Sequence, residues 1–152
     1  MTHIGLRVVQ IARAWVGTPY VHQASLCHAG ADCLGLVRGV WRTLYGDEPE
    51  MMPAYSSDWG EASGDERLFE AAFRHLLLCD VTDHKPGDVL LFRMRDKGIA
   101  KHMGIQSGVG KSARFIHAYT GHGVIENPLA LPWQRRIAAR FRFPEGDIKW
   151  LQ

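Results

Sequence analysis

A chain of 152 residues, 46% of them hydrophobic and 10% aromatic, has enough apolar material for one core, and a single domain over residues 1–152 is expected. Eighteen Lys and Arg against sixteen Asp and Glu leave a net charge of +2, which excludes the strong basic field of a nucleic-acid binder. Apolar runs such as 76–78 and 89–92 fall far short of the roughly 20 residues that span a bilayer, so no membrane insertion is expected.

The opening segment carries Arg7 and Arg13 inside its apolar pattern, unlike a signal peptide, and predicts synthesis without export through the general secretory route. Ile4, Val8, Ile11, Ala12 and Trp15 recur at helical spacing until Gly17-Thr18-Pro19 ends the run. A loop follows over 20–31. Asp32 has the chemistry of an N-cap, and Cys33, Leu36, Val37, Val40, Trp41 and Leu44 keep helical period up to Gly46. Residues 47–64, with Pro49, Pro53, Gly60 and Gly64, read as irregular, and a third helix is expected over 65–79 through Leu68, Ala71, Ala72, His75 and Leu76. From Pro86-Gly87-Asp88 the pattern changes to short strands at 89–92, 101–106, 115–119 and 124–127, with a last one through Ile137, Ala139, Phe141 and Phe143. Helices followed by an antiparallel sheet of about five strands define an α+β fold.

Among three cysteines without regular spacing, a disulfide framework is not indicated, and Cys33 has the most telling position. It follows the expected cap, where unsatisfied backbone N–H groups and the helix dipole can lower a thiol pKa and receive an oxyanion. A thiolate nucleophile needs an imidazole in reach, and that base needs a polar group to fix its tautomer. His102 and His117 each interrupt an apolar strand, and neighbouring strands would put both rings on one face. A buried cysteine and two hydrogen-bonded core histidines are the plainer alternative for each residue taken singly.

Four ordered blocks resemble the NlpC/P60 family: Gly17-Thr18-Pro19-Tyr20, then Ala31-Asp32-Cys33-Leu34-Gly35-Leu36-Val37, then the strand from Lys85-Pro86-Gly87-Asp88, and finally Lys101-His102-Met103-Gly104-Ile105 with Phe115-Ile116-His117-Ala118. The resemblance implies a papain-like domain and a cysteine endopeptidase that cuts an amide in peptidoglycan stem peptides, most often γ-D-glutamyl to a diamino acid. Cys33 is then the nucleophile, His102 the base and His117 its orienting partner, while Tyr20 helps to position substrate or oxyanion and Asp32 both caps the helix and contacts substrate. No cofactor or metal is implied. Leu34 stands where many members have serine, and Val21-His22-Gln23 replaces the common Gly-Gly after the tyrosine, altering a wall of the cleft.

A short chain of this kind looks most like the phage-tail branch, including peptidases of gene transfer agents. Tail or baseplate proteins are then expected partners, with action on the cell wall in the periplasm. Three rival readings follow from the same residues. A noncatalytic tail-tip or assembly protein would use Trp41, Trp59, Trp133 and Trp150 as an interface; an amidase or acyltransferase would use the same triad; a zinc site would gather Cys27, His28, Asp32, Cys33 and His22, although no paired ligand spacing occurs among them.

Overall fold

The computed structural model describes residues 3–49 and 66–145. Helix α1 (His3–Ala14) buries Ile4, Val8, Ile11 and Ala12, the stripe that its periodicity predicts. Helix α2 (Cys33–Tyr45) packs beside it, burying Leu36, Val37, Val40 and Leu44. Close approach of the two depends on Gly39, where a Cβ would stand 2.0 Å from the Trp15 ring. Between them, two very short strands, β1 (Ser25–Leu26) and β2 (Gly30–Ala31), pair inside what reads as a plain loop.

Helix α3 (Arg67–His75) is shorter than the stretch 65–79 expected for it. Leu76 is extended, at φ −112° and ψ 162°, and is itself buried. The chain continues as strand β3 (Leu77–Cys79), an edge strand in which Leu77 and Leu78 stay exposed. Helical spacing up to Leu76 therefore ends where backbone pairing with another strand becomes available. Strands β4 (Val89–Arg93), β5 (Ala100–Gly108), β6 (Arg114–Tyr119) and β7 (Gly123–Pro128) follow. A single-turn helix α4 (Leu131–Gln134) leads into β8 (Ile137–Arg142).

The main sheet is antiparallel with order β3-β8-β4-β5-β6-β7, six strands where about five were expected. The extra one is β3. Val89, Leu91, Met103 and Ile105 face the helices, while Leu90, Phe92 and Phe115 form a second cluster on the opposite face with Leu129 and Trp133. Burial on both faces explains why β4 reads as a nearly continuous apolar run rather than as alternation. Among the described residues no helix is long and apolar enough to cross a membrane.

Pro86-Gly87-Asp88 is more than a turn. Asp88 is 1% exposed and its Oδ2 accepts from Nη1 of the fully buried Arg140 at 2.7 Å. Arg140 also donates to Gln106 Oε1 at 2.8 Å, and Arg142 Nε to Asp88 Oδ1 at 2.7 Å. This ion cluster ties β4, β5 and β8 together at the end of the sheet far from His102 along β5. Gly87, at φ +90°, lies against Gly5 of α1, where a Cβ would come within 2.6 Å of Gly5 Cα.

Of the tryptophans weighed as an interface, Trp59 and Trp150 lie outside the described residues. Trp41 stacks at a tilt on Tyr45, with ring centroids 4.3 Å apart, and donates from Nε1 to Asp47 O at 2.9 Å. Trp133 covers the two histidines of the site below. Trp41 and Trp133 are thus half-buried by packing within the chain.

Candidate active site

Cys33 is the first helical residue of α2, and Asp32 is its N-cap. The cap uses both carboxylate oxygens. Oδ1 accepts from Gly35 N at 2.7 Å, closing the first turn, and Oδ2 accepts from Gln23 N at 2.7 Å, holding the preceding loop. Asp32 N in turn donates to Ala24 O at 3.3 Å, and Ser25 Oγ donates to Gly35 O at 2.6 Å. Gly35 is required by this contact, because a Cβ there would meet Ala24 O at 1.9 Å. The loop wall and the helix start are therefore one unit. Its left-handed Gln23, at φ +66°, lies in the segment that departs from the family pattern.

The upstream block joins this unit from the other side. Gly17 N donates to Val124 O at 2.9 Å and Val124 N to Thr18 O at 2.8 Å, docking the turn on β7. Tyr20 then bridges Ala31 in parallel, and its hydroxyl hydrogen-bonds the Thr120 side chain. Tyr20, Cys33, Lys101, His102 and Thr120 line one open cleft of about 200 Å³.

His102 and His117 come together across β5 and β6. The register that pairs Ile105 with Ile116 sets His117 opposite Gly104, with His102 two residues along the same face. Nε2 of His102 lies 2.8 Å from Nδ1 of His117. Gly104 makes this diagonal contact possible, since a Cβ there would press on the Phe115 ring at 2.9 Å and on His117 Cβ at 3.1 Å. A residue that sequence reasoning missed completes the line: His117 Nε2 is 2.8 Å from Asn127 Oδ1 on β7. Trp133 covers the pair, with its ring centroid 5.8 Å from His102 and 5.1 Å from His117.

Hydrogen-bond polarity fixes the tautomers. A carbonyl oxygen only accepts, so His117 Nε2 carries the hydrogen that meets Asn127. The neutral ring then has a bare Nδ1, which accepts from His102 Nε2–H. His102 is left with an unprotonated Nδ1, the nitrogen able to take a proton in the cleft. Both rings are held neutral. Burial, followed by the neighbouring His117, pushes His102 down to about 3. Burial also takes His117 to about 4, with Asn127 opposing the shift and His122 adding to it.

Cys33 departs from the expectation for a helix-terminal thiol. Burial and the adjacent Asp32 carboxylate push its pKa up to about 12, although backbone groups of Met103, Leu34 and Cys33 itself pull it down. At 7% exposure, the desolvation of a thiolate outweighs the helix terminus. The Cys33 thiol and the His102 imidazole, which line the same cleft, are therefore both neutral at rest.

The residues weighed as a zinc site do not converge. Cys27 Sγ contacts Ala14 O at 3.6 Å, Asp32 is occupied by backbone N–H groups, and His22 Nδ1 reaches Asp32 Oδ2 only at 3.8 Å. Among the described residues no three His, Cys, Asp or Glu side chains are arranged around a common point fit for a metal ion. His122 is exposed at the β6–β7 turn and stacks on Tyr119 at 5.6 Å.

Residues 17–142 match the family model described as NlpC/P60 family. The chain belongs to the NlpC/P60 family. It is also 29% identical over 142 residues to a γ-DL-glutamyl hydrolase of Bacillus subtilis, a match that takes in 93% of the chain but 30% of that relative. Solved NlpC/P60 structures share the fold. A lipoprotein-like member from Staphylococcus aureus superposes with a TM-score of 0.62 at 17% identity, over 96% of this chain and 43% of that one. The NlpC/p60 domain of peptidoglycan hydrolase SagA superposes with a TM-score of 0.60 at 22% identity, over 91% of this chain and 98% of that domain. The NlpC/P60 chain thus spans under a third of the curated relative and nearly all of the isolated SagA domain.

Proposed function

We propose that this chain is a cysteine endopeptidase that hydrolyses a γ-D-glutamyl amide in peptidoglycan stem peptides, with Cys33 as nucleophile, His102 as base and His117 as its orienting partner. The observation that carries the proposal is the chain His102–His117–Asn127, which leaves a bare Nδ1 on the ring that shares a cleft with Cys33. The γ-glutamyl specificity is supported by the name of the Bacillus subtilis relative, and the cell-wall substrate by that of the SagA domain.

The neutral resting pair defines the order of events. As sulfur attacks the carbonyl carbon, its proton moves to His102 Nδ1, so thiolate character and imidazolium charge develop together inside a site that disfavours either alone. Backbone N–H groups at the start of α2 face the developing oxyanion, and Tyr20 lines the same cleft. His102 then gives its proton to the leaving amine, the C–N bond breaks, and an acyl-enzyme forms on Cys33. Water attacks this ester of sulfur with His102 again taking the proton, which frees the acid product and restores the thiol. Asp32, with both oxygens engaged by backbone N–H groups, acts in this scheme by positioning Cys33 and the loop wall.

We extend the proposal to location: the domain serves a phage-like tail, held by tail or baseplate proteins, and meets the wall from the periplasmic side. Its support is the resemblance of the motif blocks, and proteomics of purified particles tests it. For the chemistry, mass spectrometry of peptidoglycan digests should reveal new γ-D-glutamyl termini with the wild-type chain. Cys33→Ala should lose on the order of 10⁴-fold in turnover. Equal cleavage by that variant would refute the nucleophile assignment. If the products were instead transferred acyl groups or released ammonia, the transferase or amidase reading of the same triad would replace ours.

A further inference from the structure

The cleft does not end at His102. Met94 lines both it and an adjoining groove of about 540 Å³, walled by the turn between β4 and β5 and by the segment from α4 into β8. Arg93 N donates to Arg136 O at 2.7 Å and pins these walls together. Five cationic side chains line the groove, Arg93, Arg95, Lys97, Arg135 and Arg136, against one acid, Asp96. Arg93 is balanced by Glu66 at 2.8 Å, while Lys97, Arg135 and Arg136 are exposed. Such a concentration in a chain whose net charge is only +2 is a local design, because clustered like charges repel unless a counter-charge arrives. Arg136 also lies 5.8 Å from the Trp133 ring centroid, and Trp133 covers His102, so a single indole ring separates the groove from the catalytic imidazole. Lys101 extends the positive lining into the cleft itself.

Chemistry gives the groove a direction. His102 must reach the leaving nitrogen to protonate it, so the amine-side segment of the substrate lies past His102, toward Met94. We propose that the groove is a subsite for a carboxylate-bearing segment on the amine side of the scissile amide, such as a diamino acid with a free carboxylate or a γ-linked glutamate. This deepens the peptidase reading and rests on it for the direction. Guanidinium groups suit the occupant, since each can meet a carboxylate through two parallel N–H donors.

The test separates binding from turnover. The Cys33→Ala chain is titrated with a fluorescent, short γ-linked oligoglutamate bearing free α-carboxylates and with its uncharged α-amide counterpart. At about 0.01 M salt the anionic probe should bind on the order of tenfold tighter, a preference that shrinks toward about 0.15 M as the screening length falls from roughly 30 to 8 Å. Adding Lys97→Glu and Arg135→Glu should bring the two probes close to parity, and Lys97→Gln with Arg135→Gln should give a smaller drop in the same direction if the reversal does not fold. Equal binding of the probes, or a folded variant that keeps the preference, would overturn the subsite. Anion preference without any peptide cleavage by the wild-type chain would leave the subsite standing and remove the peptidase reading. Cleavage indifferent to amine-side charge would do the opposite.

Discussion

Strand β5 carries two buried polar networks, and they solve the same problem in opposite ways. At one end Gln106 joins Asp88, Arg140 and Arg142 in an ion cluster in which charge is retained and each carboxylate oxygen meets a guanidinium N–H. At the other end His102 joins His117 and Asn127, where burial holds both rings neutral. A paired charge has no spare valence and serves as an anchor, whereas a neutral relay with one open acceptor can take up a proton. Breaking a buried ion pair from one side strands a charge, so its loss is felt as unfolding. Breaking the neutral relay strands little and is felt in the chemistry.

Variants at the two ends should separate along that line. The largest effects are expected from the bases of each network. His102→Gln should lower turnover by roughly 10²–10⁴-fold, the usual weight of a general base, with an unfolding midpoint near wild type. Asp88→Ala should cost about 3–5 kcal/mol in urea unfolding because Arg140 would be left uncompensated. A His102 variant that unfolds and an Asp88 variant that merely slows turnover would reverse the comparison.

Farther along the relay the effect should fall. His117→Gln should lose less activity than His102→Gln, and Asn127→Ala about tenfold in kcat with KM little changed, since Asn127 acts only through His117. A loss in KM alone would make Asn127 a substrate contact instead.

A further effect concerns pH. His102 and His117 titrate at about 3 and about 4 in the folded chain but near 6.5 when unfolded, so the unfolded state binds more protons between those values. Stability is complete above about pH 6.5 and declines as pH falls toward 4, with a slope approaching about 1.4 kcal/mol per unit for each ring. Chemical denaturation at stepped pH should recover this slope, reduced in His102→Gln.

Much of this architecture is legible in the sequence. Asp32 before an apolar helical stripe predicts the cap, and histidines inside apolar strands stand out because burying an imidazole without purpose is costly. Asn127 gave no such sign: it sits near a strand end, and only the pairing of Phe115 with Asn127 brings it beside His117. Arg140 was equally silent. In an alternating strand it reads as a solvent-facing residue, and its partner Asp88 is 52 positions away. Leu77–Cys79 reads as helix by spacing and folds as strand, because an edge strand owes its form to the neighbour it pairs with, β8. The high pKa of Cys33 escaped for a related reason, since helix position is written in the sequence and depth of burial is not.

The Asn127 side chain has two nearly isosteric ends, and that gives it leverage over a group two residues removed. Rotating its amide by half a turn would offer –NH₂ in place of C=O, reverse every donor and acceptor down the line, and point N–H instead of a lone pair from His102 Nδ1 into the cleft. Wild-type activity would then require a polarity that one carboxamide rotor sets, and nitrogen-15 spectra of the two imidazoles would read that orientation directly.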